Sequence, residues 1–137
     1  MTGSTSPTLV VVEDNASDIY LLEYTLKELQ LDCKLVVYRD VPEALHSLER
    51  QENAPVGVVL DLNLPSGDGF QLLSFIRESE PIKDVPIAVV TSSESPMDKE
   101  RCQSMGATYY LHKPTDLDEF VALIGQVIES ILHRSNA

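Results

Sequence analysis

The chain has 137 residues, 43% of them hydrophobic, which suits one ordinary globular core and leaves little room for a second domain. Ten basic residues against 22 acidic ones give a formal charge of −12, which argues against nucleic acid or an anionic membrane as a direct partner. No apolar run nears the ~20 residues of a membrane span, and the polar opening Met1 to Pro7 lacks the basic start and apolar centre of a signal peptide. These features predict a cytoplasmic protein. The two isolated cysteines, Cys33 and Cys102, read as reduced and buried.

In chain order, short apolar runs alternate with amphipathic stretches. Leu9 to Val12 has the length of a buried strand and stops at Glu13-Asp14-Asn15. A helix follows, with Ile19, Leu22, Leu26 and Leu29 on one face. Leu35 to Tyr38 is a second strand, and Val41 to about Arg50 a second helix with Pro42 in its first turn. Val56 to Leu60 is the most apolar strand and leads into Asp61. Gly67-Asp68-Gly69 opens a third helix carrying Phe70, Leu72, Leu73 and Ile76. Val85 to Val90 is a fourth strand, ending at Thr91. A short polar helix from Met97 to about Met105 closes at Gly106. Thr108 to Leu111 is a fifth strand, and Thr115 caps a last helix with Asp118 at the capping-box position. Continuous apolar strands are covered on both faces, and helix-length crossovers force parallel pairing. The predicted fold class is α/β, a doubly wound five-stranded parallel sheet with five helices.

In such sheets, sites form beyond the carboxyl ends of the strands. The residues that follow the strands are Glu13-Asp14 after the first, Asp61 after the third, Thr91 after the fourth and Lys113-Pro114 after the fifth. The second strand runs into Tyr38-Arg39-Asp40 and is assigned no chemistry. Three carboxylates in one pocket repel one another, and a hard cation relieves that repulsion. Magnesium takes oxygen ligands and commonly binds one or two carboxylates plus a phosphate. Glu13, Asp14 and Asp61 fit that donor set, with the backbone carbonyl of Asn63 as a further candidate. An aspartate can also act as a nucleophile and form an aspartyl phosphate. Lys113 could then pair with one phosphoryl oxygen and Thr91 could donate a hydrogen bond to another.

The segments Val11-Val12-Glu13-Asp14-Asn15, Leu60-Asp61-Leu62-Asn63-Leu64-Pro65, Val90-Thr91-Ser92 and His112-Lys113-Pro114 together resemble the receiver domain of two-component response regulators. The resemblance covers about Leu9 to Leu132, with every motif in order. It implies the flavodoxin-like strand order 2-1-3-4-5 and a phospho-accepting signalling switch rather than an enzyme, one that takes part in its own phosphorylation and dephosphorylation. Carried onto this chain, Asp61 is the phosphoacceptor, Glu13 and Asp14 hold Mg2+, Thr91 is the switch hydroxyl, Tyr110 the switch aromatic and Lys113 the pairing lysine. A cis Lys113-Pro114 bond is also implied. Asp61 to Pro65 and the following Ser66-Gly67-Asp68-Gly69 look most like small stand-alone receivers, including those that serve bacterial phytochromes. Serine at position 92, where alanine is frequent, and glutamate at position 13, where aspartate is equally usual, depart from the family's pattern without touching the acceptor. The expected organisation is a disordered leader over residues 1–7, a receiver domain over 8–134 and a tail over 135–137.

Three other readings fit less well. A magnesium-dependent phosphohydrolase with an aspartate nucleophile needs a second aspartate two positions on, where this chain has Asn63. A flavin carrier needs a hydroxyl-rich phosphate loop where Glu13-Asp14 would repel the ligand. A receiver-like module that takes no phosphate would have lost an acid, the acceptor or the lysine. The expected partners are a sensor histidine kinase, with phytochrome kinases among the candidates, and either a downstream protein or a histidine phosphotransfer protein. No room is expected for an output domain after Ala137. A homodimer through the final helix is also expected. There Leu117, Phe120, Val121, Leu123, Ile124, Val127, Ile128, Ile131 and Leu132 spread over an arc of roughly 180°, against about 100° needed to cover a sheet.

Overall fold

The computed structural model describes residues 6–50, 54–62, 64 and 69–135. The elements are β1 (Thr8–Val12), α1 (Ala16–Glu28), β2 (Lys34–Tyr38), α2 (Val41–Glu49), β3 (Pro55–Leu60), α3 (Gly69–Glu78), β4 (Ile87–Thr91), α4 (Pro96–Ser104), β5 (Tyr109–His112) and α5 (Leu117–Ser135). All strand pairs are parallel, and the sheet order is β2-β1-β3-β4-β5. The expected α/β class and strand order both hold.

Alternation along each strand divides the core into two layers. Val10 and Val12 of β1, Val58 and Leu60 of β3, and Ile87 and Val89 of β4 face α2 and α3, where Ala44, Leu48, Leu72, Leu73 and Ile76 meet them. Leu9, Val11, Val59, Ala88 and Val90 face the other way, against Leu22 and Leu26 of α1 and Phe120, Ile124, Ile128 and Ile131 of α5. Each fully buried branched side chain contributes about 1.5–3 kcal/mol through removal from water. Helix α5 lies close on the sheet at Gly57, where a Cβ would come within 2.5 Å of Ile131. It lies close on α1 at Gly125, over which the side chain of Leu29 folds.

Several local expectations shift. β4 starts at Ile87 rather than Val85, after Pro86, whose ring nitrogen has no hydrogen to add to a ladder. Leu29 does not continue the buried face of α1; it is the C-cap and 41% exposed. The N-terminal cap of α5 is Asp116, not Thr115. The Asp116 carboxylate accepts from Glu119 N–H at 3.0 Å, and its carbonyl accepts from Phe120 N–H at 2.9 Å. This one-residue shift puts a charged acceptor on the free amides of the first turn and moves Glu119, not Asp118, to the third helical position. α4 ends at Ser104 with Met105 as its C-cap, one residue before Gly106, whose φ of +96° suits a residue without a side chain. The peptide bonds among the described residues are all trans, Lys113-Pro114 included, so the cis expectation fails. Trans is the intrinsic preference even before proline, by about 0.5–1 kcal/mol. Among the described residues no helix is long and apolar enough to cross a membrane.

Candidate functional site

The parallel sheet brings the carboxyl ends of β1, β3, β4 and β5 to one edge, so residues far apart in sequence meet there. Glu13 follows β1 and is buried, its amide donating to Tyr38 O at 3.0 Å. Asp61 follows β3 and is buried, its amide donating to Val12 O at 3.1 Å. Thr91 ends β4 and is fully enclosed, its Oγ1 accepting from Ser93 N–H at 3.2 Å. Lys113 follows β5, and its amide donates to Thr91 O at 2.8 Å. Backbone bonds therefore fix the base of every one of these side chains.

The centre of the edge is an ammonium ringed by carboxylates. Lys113 Nζ donates to Glu13 Oε1 at 3.1 Å, Asp61 Oδ2 at 3.0 Å and Asp18 Oδ2 at 2.6 Å. The three acids come from β1, β3 and α1, and only 15% of the lysine side chain is exposed. Burial alone would depress the lysine's pKa. The hydrogen bonds to Asp18 and Asp61 and the charges of Glu13 and Asp61 outweigh it and hold the ammonium well above its usual range. Glu13 goes the other way from an ordinary carboxylate. Burial and then the like charge of Asp61 push it up to about 7, against the pull of Lys113 and of the Asn15 N–H. One ammonium is too little positive charge for so many acids.

That surplus of carboxylate oxygen is the donor chemistry of a hard divalent cation. Among the described residues no three or more carboxylate, histidine or cysteine side chains form a ready cage for a metal, and the cation at the centre is the lysine's own. Asp14 lies beside Glu13, half-buried, with Arg39 donating to its carbonyl at 3.4 Å. Asn63, expected to lend a carbonyl, lies outside the described residues.

The remaining expected residues sit around this centre. Ser93, whose amide binds Thr91, donates its hydroxyl to Asp98 Oδ2 at 2.7 Å in the first turn of α4. Tyr110 on β5 is half-buried. Its hydroxyl is enclosed without a well-formed hydrogen bond among the described residues, although Ser93 lies beside it. Burial raises the phenol's pKa. After β2, Asp40 caps α2 by accepting from Glu43 N–H at 2.8 Å, and Tyr38 hydrogen-bonds Ser47. A larger open groove lies at the opposite edge of the sheet, between Pro55, Pro81, Pro86 and Arg134, away from the carboxylates.

Asp18 was not foreseen. An acid in the first turn of a helix ordinarily complements the helix dipole. The available signal was Asn15, which caps α1 by accepting from Asp18 N–H at 3.1 Å and so fixes Asp18 one turn beyond Glu13-Asp14.

Proteins of the same fold are known. Response regulator Rcp1 of Synechocystis sp. (strain ATCC 27184 / PCC 6803 / Kazusa) is 32% identical over 127 residues, 89% of this chain and 86% of Rcp1. The crystal structure of the phosphorylated cyanobacterial phytochrome response regulator RcpA superposes with a TM-score of 0.86 at 26% identity, covering 93% of this chain and 95% of that one. A receiver domain of a sensor histidine kinase from Pseudomonas aeruginosa, solved with a magnesium ion coordinated in its active-site cleft, superposes with a TM-score of 0.71 at 30% identity, covering 89% and 96%. Residues 9–125 match the response regulator receiver domain, and the chain belongs to that family.

Proposed function

We propose that this protein is a single-domain response regulator that accepts a phosphoryl group from a histidine kinase on Asp61, with Mg2+, and signals through phosphorylation-dependent protein contact. The observation that carries this reading is the placement of the Lys113 ammonium against both Glu13 and Asp61 at the carboxyl edge of the sheet. The similarity to Rcp1 over most of both chains and to the phytochrome regulator RcpA supports a stand-alone receiver and a phytochrome-type kinase as its donor.

In the step proposed, an Asp61 carboxylate oxygen attacks the phosphorus of a phosphohistidine. The new O–P bond forms as the P–N bond breaks, and the ring nitrogen keeps the electron pair; with a proton on the other ring nitrogen, the histidine leaves as neutral imidazole. Little covalent work falls to the protein, which positions the groups and neutralises charge. Lys113, already 3.0 Å from Asp61, turns to a phosphoryl oxygen. Thr91 moves its hydroxyl from the Ser93 amide toward another. Glu13, Asp14 and Asp61, with the Asn63 carbonyl, would hold the Mg2+, which supplies positive charge to the transferring group. Tyr110 then responds to the space Thr91 leaves, changing the face built by α4, β5 and α5. The flanks of α5 extend that face: Leu117 and Leu123 are 45% and 37% exposed and Val121 and Leu132 half-buried, which supports a homodimer.

The test is intact mass after incubation with phosphoramidate and Mg2+. Wild type gains one hydroxylamine-sensitive phosphoryl group, and Asp61→Asn gains none. Full labelling of the variant would place the acceptor elsewhere.

A further inference from the structure

We infer that Asp18 is a positioning residue for Lys113, holding the ammonium over the site while its other two carboxylate partners change roles; this rests on the phospho-acceptor reading above. The ammonium has three N–H groups, and Glu13, Asp18 and Asp61 take one contact each. In the proposed reaction two of those contacts are temporary. Asp61 would become an acyl phosphate, and Glu13 is among the residues that would hold the divalent cation. Asp18 has neither task, and its contact is the shortest of the three at 2.6 Å.

The carboxylate is also well anchored. It leaves the first turn of α1, where the Asp18 amide is fixed by the Asn15 side chain at 3.1 Å. Only 21% of the Asp18 side chain is exposed, so water competes weakly for the ammonium. A lysine stem has four rotatable carbons and loses much rotamer freedom when held. An ammonium released by both Glu13 and Asp61 would swing to solvent unless a third group kept it. Asp18 supplies that hold from a separate element, so Lys113 can exchange the Asp61 carboxylate for a phosphoryl oxygen without leaving the site.

The test is the rate of labelling by phosphoramidate at saturating Mg2+ in wild type, Asp18→Ala, Asp18→Asn, Lys113→Ala and the double variant Asp18→Ala with Lys113→Ala. Loss of one charge-assisted hydrogen bond predicts about a tenfold fall in the maximal rate for Asp18→Ala. The donor concentration at half-maximal rate stays unchanged. Asp18→Asn, which keeps one acceptor oxygen and the same shape, loses less and carries the test if the alanine variant does not fold. In the Lys113→Ala background, removing Asp18 changes nothing further, because its effect runs through the ammonium. Wild-type rates in both Asp18 variants, additive losses in the double variant, or a loss cured by more Mg2+ would each overturn the inference. A wild type that takes no label overturns the phospho-acceptor reading and this inference together. A wild type that labels beside unaffected Asp18 variants overturns this inference alone.

Discussion

The guanidinium of Arg77, in α3, grips the carbonyl oxygen of Gly106, at the end of α4, with two hydrogen bonds of 2.9 and 2.8 Å from Nε and Nη2. Its Nη1 donates to Lys83 O at 2.8 Å and Val85 O at 2.7 Å. One side chain thus ties the loop before β4 to the turn before β5. A Cβ at Gly106 would lie 2.9 Å from Arg77 Nε, so the grip also depends on glycine there.

Arg77→Ala should therefore destabilise the fold by about 2–3 kcal/mol, since it leaves several carbonyls without a charged donor. Arg77→Lys should recover little, because a point charge cannot reproduce the planar fork. Urea denaturation checks this, and a midpoint unchanged from wild type would refute the role.

Mg2+ should stabilise the unphosphorylated protein. Among the described residues Glu13, Asp18 and Asp61 share the Lys113 ammonium, and a ligand bound only by the native state raises stability by about 2.7 kcal/mol at a hundredfold excess over its Kd. Thermal melting with and without millimolar Mg2+ should show a rise of several degrees, absent in Asp14→Ala. No shift in wild type, or the same shift in the variant, would argue against these ligands.

Thr91→Ala should accept phosphate yet lose the signal. The hydroxyl is fully buried and binds the Ser93 amide, and Ser93 in turn binds Asp98 of α4, so the threonine links the edge of the sheet to the neighbouring helix. Binding of a partner kinase or target should change several-fold on phosphorylation of wild type and less than twofold in the variant, the size expected for a two-state element deprived of its trigger. Equal responses in the two proteins would remove Thr91 from the switch.

Self-association should be measurable at micromolar concentration. The inner face of α5 is spent on the sheet through Phe120, Ile124, Ile128 and Ile131, while Leu117 and Leu123 remain exposed. A two-fold contact is the commonest way to cover such a surface. Sedimentation should give a dimer for wild type and a monomer for the double variant Val121→Glu with Leu132→Glu. A wild type that stays monomeric with and without phosphate would falsify the dimer.

The fold was legible because its signals are local and repeated. Short apolar runs such as Leu9 to Val12 and Val56 to Leu60 have the length of doubly covered strands, and with the strand order that the family resemblance implies, the residues after them meet at one edge. Glu13, Asp61 and Lys113 accordingly come together as their positions required. Asp18 was hidden because an acid in a first turn has an ordinary explanation. Arg77 was hidden because it binds carbonyls, and any residue type supplies one. The cap of α5 moved from Thr115 to Asp116 because both residues are good caps and sequence alone does not set the phase of the helix.

The strand order has a consequence for how the chain assembles. β1, β2 and β3 are contiguous in the sheet and all lie within the first 60 residues, whereas β4 and β5 add outward in turn. An edge on which β5 had not yet docked would hold Glu13, Asp18 and Asp61 with no Lys113 among them, and their repulsion would strain it. Arrival of the ammonium would relieve that strain and draw the strand in by charge as well as by apolar contact. In pulsed hydrogen exchange during refolding, the amides of Tyr110 to His112 should become protected after those of Val10 to Val12, with Lys113→Ala widening the delay. Simultaneous protection of the two strands in both proteins would dismiss this electrostatic latch.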